Sequence, residues 1–194
     1  MEPNFTYHSE LRNIELDFRN DLYSKVDLVI KSLKLNDIRE TELLREQKDI
    51  LYKKFSLKKV EFSDPKIFDH TEKTVNVGQS YDNFFPYKKN IYEVEIRQGF
   101  SGSIELFSYH PNGYNYGENL QYVYIPTSNT IIVYVQIDEM KKDLALAEFN
   151  KRMQMTYNFV ENNNRFIDSI NKELEQYISA KLDKHLESLN NLYS

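Results

Sequence analysis

After Pro126 the chain contains neither proline nor glycine as far as Ser194, and a helical apolar pattern fills most of that stretch. Leu146, Met153, Val160, Ile167 and Leu174 recur every seven residues, with Phe149, Ile170 and Tyr177 in a companion row that Thr156 and Asn163 interrupt. Such a repeat specifies a long helix with one continuous seam. Asp138 stands where a cap is expected. The register passes unshifted through Asn162-Asn163-Asn164, from Val160 to Ile167, so a helix over 138–194 without a break is expected. About 50 residues at ~1.5 Å each span roughly 75 Å. A seam of that length needs cover, supplied by another part of the chain, by a second copy, or by sequence outside it. Met153, Val160, Ile167, Ile170, Leu174 and Tyr177 are therefore candidate oligomer-seam residues.

The rest of the chain divides by period. Leu11, Ile14, Phe18, Leu22, Val26, Val29 and Leu33 line one helical face. Asp37 and Glu40 have capping-box spacing, and Leu43, Leu44, Gln47, Ile50, Leu51 and Phe55 follow on a second helix. The short link predicts an antiparallel hairpin over 1–55. From 56 to 137 the period is two: around Val60, around Val75, through Tyr92, Val94 and Ile96, over Ile104 to Tyr109, over Gln121 to Ile125, and over Thr130 to Ile137. The last of these is apolar on both faces, which predicts a central strand. The expected fold is α+β: one module over 1–194, an antiparallel or mixed β-sheet flanked by an N-terminal helical hairpin and a long C-terminal helix.

With 194 residues, 40% hydrophobic and 28% charged, the chain is long enough and apolar enough to bury a core. It has no cysteine, which excludes disulfides, thiolate metal sites and a cysteine nucleophile and fits a reducing, cytoplasmic setting. The opening Met1-Glu2-Pro3-Asn4 carries no basic–apolar leader, and the longest strongly apolar run, Ile131 to Val135, is far short of a membrane span. No membrane partner is expected. The net charge of −5 supplies no general positive field for nucleic acid.

No chemistry-bearing motif stands out. The four histidines, His8, His70, His110 and His185, are scattered, so neither a metal nor another cofactor is expected. Asp82, Glu93 and Glu95 have the character of a metal-dependent nuclease strand, but Arg97 occupies the place of a general-base lysine and a guanidinium does not give up its proton. Ser101-Gly102-Ser103 lacks the setting of a nucleophile elbow. The expectation is a protein that is not an enzyme. The most distinctive segment runs from Phe107 to Tyr124; there Tyr109, His110, Tyr114, Tyr116 and Tyr122 form a candidate binding surface, since tyrosine offers contact area with a polar tip. The pairs Lys53-Lys54, Lys58-Lys59, Lys88-Lys89 and Lys141-Lys142 suit strand edges and helix ends.

The run Gly102 to Tyr109, then Pro111 and a Tyr-containing loop, then a short apolar strand and a long helix with Asn163-Asn164-Arg165, resembles the N-terminal region of uncharacterised bacterial proteins that carry a C-terminal restriction-endonuclease-like nuclease domain. The resemblance covers roughly residues 100–190. It implies the front part of a bacterial effector acting against phage or other foreign DNA, and it carries over no catalytic residue. The expected function is a sensing or assembly module with a homo-oligomeric or protein partner. A nucleic-acid-binding module using the lysine pairs with Tyr114 and Tyr116 is the first alternative, and a small metal-dependent nuclease the second.

Overall fold

The computed structural model describes residues 5–7, 12–77, 87–110 and 122–193. In chain order the elements are β1 (Phe5–Tyr7), β2 (Arg12–Asn13), a π-helical turn (Ile14–Phe18), α1 (Arg19–Ser32), α2 (Leu35–Ile38), α3 (Thr41–Phe55), β3 (Glu61–Phe62), β4 (Lys66–Val77), β5 (Tyr87–Ser101), a 3-10 turn (Ile104–Ser108), β6 (Tyr109–His110), β7 (Tyr122–Tyr124), β8 (Thr130–Ile137) and α4 (Lys142–Tyr193). The fold is α+β, as expected, and α4 continues through Asn162–Asn164 without interruption. These elements form two compact units, a sheet unit from described residues 5–7, 60–77, 87–108 and 122–160, and a helical unit from 12–59, 109–110 and 161–193.

In the sheet unit β5 is central. It pairs antiparallel with β4 and then β3 along one side, and with β8 along the other. The expectation of a central β8 is thus corrected. Its burial alternates, with Ile131, Val133, Val135 and Ile137 inward while Ile132 and Tyr134 are only half-buried and Gln136 is exposed. An apolar composition did not mean cover on both faces. From α4 the unit also buries Ala145, Phe149, Met153 and Phe159. Phe62, Phe100, Phe107 and Tyr157 make an aromatic cluster, with Phe100 and Phe107 centroids 4.7 Å apart and Phe62 edge-on to Tyr157 at 5.0 Å. Gln98, 3% exposed in the middle of this core, is tolerated because both ends of its amide are engaged: Nε2 donates to the Ser63 carbonyl at 2.8 Å and Oε1 accepts from the Tyr157 hydroxyl at 2.8 Å.

Two local expectations over this unit also change. The stretch Ile104–Ser108 is a 3-10 turn rather than a strand. Gly102, at φ 100°, turns the chain out of β5 in a conformation that glycine alone adopts cheaply, and the tight turn buries the adjacent Leu106 and Phe107 together, which a pleated strand would send to opposite faces. The long helix begins at Lys142 rather than after an Asp138 cap; Asp138 accepts from Lys89 Nζ instead.

In the helical unit, Ile14, Phe18, Leu22, Val26 and Ile30 are buried at a spacing of four. Each step of four advances about 40° beyond a full turn in an ideal α-helix. The wider π turn over Ile14–Phe18 absorbs part of that drift and keeps Ile14 in the stripe. Arg19 pairs with Glu173, Tyr23 stacks on Tyr177 at 3.9 Å, and Asp27 accepts from Lys181. The constant offset between partners shows that α1 runs parallel to α4. Against this, Lys48 reaches Ser179 and Asp183, Leu57 meets Asn171 and Lys59 reaches Asp168, so the segment from α3 onward runs antiparallel to α4. The expected hairpin is therefore present in α1 and α3 and lies on α4, but it does not fill 1–55, because Phe5–Tyr7 and Arg12–Asn13 are strands. The Asp37 cap acts one turn earlier than expected: its carboxylate accepts from the Lys34 N–H at 2.7 Å and closes α2, while α3 starts after Glu40.

Candidate functional site

The seam residues fall inside the protein. Met153 and Leu174 are fully buried, and Val160, Ile167 and Ile170 are nearly so. Tyr177 is half-buried, and its hydroxyl donates to Asp27 at 2.8 Å. In the helical unit the hairpin formed by α1 and α3 supplies the cover. The two polar interruptions of the seam are buried as well, and each holds a piece of backbone. Thr156 Oγ1 accepts from the Tyr124 N–H at 3.0 Å, and Asn163 Nδ2 donates to the Tyr109 carbonyl at 2.8 Å. Asn171, one turn beyond the heptad position, takes both the N–H and the carbonyl of Leu57.

Of the tyrosine-rich segment, Tyr109 is committed to the helical unit. It is 6% exposed, edge-on to Phe18 at 5.0 Å, and its hydroxyl donates to Asp21 at 3.1 Å. His110 is half-buried in β6, whose pairing partner is β2. Tyr122 is held through its backbone, opposite Tyr7 in the β1–β7 pair. Tyr114 and Tyr116 lie outside the described residues, as does Asp82.

The carboxylates on the second face of the sheet are engaged. Glu93 accepts from Lys73 at 2.6 Å, and the Lys73 hydrogen bond and charge hold its carboxyl below the usual range against the effect of burial. Glu95 accepts from Arg97 Nε at 2.6 Å and from the Tyr134 hydroxyl at 3.3 Å. Burial and the neighbouring Glu95 push the Tyr134 phenol up, which keeps it a donor. Arg97 lies over the Phe68 ring, 3.2 Å from its centroid. Among the described residues no three His, Asp or Glu side chains converge to hold a metal ion. No helix among them is long and apolar enough to cross a membrane.

The feature left open is the outer edge of β8, which pairs with β5 alone among the described residues. The Phe100 N–H donates to the Asn129 carbonyl at 3.1 Å, and the antiparallel register continues Gln98↔Ile131, Ile96↔Val133, Val94↔Val135. Hydrogen bonding alternates along such a ladder. Thr130, Ile132, Tyr134 and Gln136 therefore direct their N–H and carbonyl groups away from β5. The Arg152 contact agrees with this phase: its Nη1 reaches from α4 to the Tyr134 carbonyl at 2.8 Å. No residue of β8 carries a charge. Sequence reasoning took this apolar run for a central strand; the neutral, β-branched composition it read was that of an edge instead.

No family model, curated protein or solved structure matches the chain.

Proposed function

We propose that this chain is a non-catalytic assembly module and that β8 joins it to a second copy of itself. The observation that carries the reading is the uncharged outer edge of β8, eight residues long. Exposed edges are ordinarily blunted by charge, proline or cover, because unpaired N–H and carbonyl groups recruit another strand. Here, among the described residues, a single guanidinium caps one carbonyl. The edge is also complementary to itself. In an antiparallel pair centred on Val133, Ile132 faces the partner's Tyr134 and Thr130 faces the partner's Gln136. All four outward positions then hydrogen-bond at once, and no like charges meet. The burial of the heptad seam supports this choice of surface, since those residues already have partners within the chain. With the resemblance over residues 100–190, the reading extends to the assembling part of a bacterial effector directed against foreign DNA.

Ile132→Pro tests it. Proline is accepted on an edge strand where its missing N–H pointed outward. The β5–β8 ladder keeps its bonds while the outer edge loses a donor. Light scattering is expected to give a dimer for the native chain and a monomer for Ile132→Pro, with circular dichroism unchanged. A native chain that is monomeric at tens of micromolar, or a variant that stays dimeric, overturns the proposal.

A further inference from the structure

A second surface in the helical unit points to a ligand. Asp27, Ile30 and Lys31 of α1 and Lys181, Lys184, His185 and Ser188 of α4 line a cavity of about 180 Å³. Three lysines face one carboxylate there, and that carboxylate is already occupied. Asp27 accepts from the Tyr177 hydroxyl at 2.8 Å and from Lys181 Nζ at 3.1 Å. Lys31 and Lys184 are exposed; against the effect of burial, Lys31 helps to hold the Asp27 carboxyl below its usual range by its charge, yet neither lysine makes a close ion pair among the described residues. Bringing like charges together is unfavourable. A bound anion reverses the sign of that cost.

We propose that this cleft binds a phosphate group, with Lys31 and Lys184 as its principal ligands and Lys181 as a third cation held in place by Asp27. The cleft is open to solvent on one side, and its volume sets how much of a ligand it can surround. Sites for whole drug-sized ligands begin at roughly 300 Å³. A phosphate or pyrophosphate fits the smaller space, and any organic remainder stays outside. Lysine recognises phosphate as a point charge and needs no planar fork. His185 makes the cleft tolerable for an anion in a different way. The carboxyl end of α1 carries partial negative charge. The His185 Nε2–H donates to the Leu33 carbonyl at 3.0 Å and so covers that end. Ser188 spends its hydroxyl proton on the Lys184 carbonyl and is not counted as a donor to the ligand. This inference stands apart from the β8 edge, which belongs to the sheet unit.

The test is calorimetric titration of the full chain with inorganic pyrophosphate, orthophosphate and phenyl phosphate at low salt, alongside thermal melts. Pyrophosphate is expected to bind and to raise the melting temperature. The double variant Lys31→Ala/Lys184→Ala is expected to bind at least about tenfold more weakly, one charge-assisted contact being worth about that factor. Lys53→Ala/Lys54→Ala, a charge-matched change elsewhere, is expected to bind as the native chain does. Phenyl phosphate binding as well as orthophosphate assigns the site to esters, and the reverse assigns it to the inorganic ions. Absence of pyrophosphate binding by the native chain, or equal loss in both variants, overturns the proposal. Since both substituted lysines are exposed, an unchanged circular dichroism spectrum separates lost binding from lost folding.

Discussion

β4 and β8 flank the same central strand, yet β4 carries Lys66, Asp69, His70, Glu72 and Lys73 while β8 has no charged residue between Thr130 and Ile137. β4 also bends: its register shifts between Ile67 and Asp69, a bulge of the kind that discourages a further strand. Side chains there are mostly exposed and bond across to β5, as Lys73 does to Glu93 and Thr74 to Asn90. Among the described residues β8 relies on one arginine from α4. An edge can be closed by its own sequence or by a neighbouring element. A cap of the second kind is removable, because Arg152 can leave the Tyr134 carbonyl without disturbing the ladder.

The largest effect should come from placing proline on the wrong side of β8. Val133→Pro removes a ladder bond and a buried side chain together and is expected to cost about 3 kcal/mol or more, read from the denaturation midpoint. Ile132→Pro, one residue away, should leave most of the stability and remove self-association. Similar stabilities for the two would refute the assigned phase of the ladder. Next, Arg152→Ala uncovers the Tyr134 carbonyl of both protomers and should tighten dimerisation by up to about a hundredfold, about tenfold for each charge-assisted bond removed, measured by sedimentation. Weaker association in that variant would mean that Arg152 belongs to the interface rather than to its cap. Making β4 resemble β8, through Asp69→Thr with Glu72→Thr, should create a second adhesive edge and species larger than a dimer.

The smallest effect concerns the Lys73–Glu93 pair. Its lysine is 47% exposed, so solvent screening holds the pair to about 0.5 kcal/mol or less. Because the Glu93 carboxyl lies below its ordinary value in the folded chain, its contribution is complete above the usual glutamate range and disappears as pH falls through the depressed folded value. Lys73→Met should lower stability by about 0.5 kcal/mol or less at neutral pH, leave it unchanged below the depressed folded value, and so flatten that part of the acid limb of a stability profile.

The continuous helix was legible because a heptad register carried through three asparagines is a local, repeated signal. The alternation of β5 was legible for the same reason. The position of β8 was not, because its outer face depends on partners far away in sequence: Tyr134 is only half-buried yet finds Glu95, 39 residues before it. Ile104–Ser108 was misread because alternating apolar residues also suit a turn that buries neighbours in pairs. The phosphate cleft lay further still from sequence reasoning. Lys181, Lys184 and Ser188 share a helical face, and that much could be read directly, but Asp27 and Lys31 reach them only through the parallel alignment of α1 with α4. Thr156 and Asn163 seemed flaws in an apolar seam, and the structure gives each a main-chain partner.

Those two residues and Asn171 grip peptide groups and ignore side-chain identity, so this recognition is blind to which amino acid is being held. Across related chains the side chains at positions 57, 109 and 124 are free to drift as far as their own packing allows. The threonine and the two asparagines are not. A collection of homologues should show a helix whose most constant members include its least hydrophobic buried ones, a pattern that a search weighted toward apolar periodicity would discard.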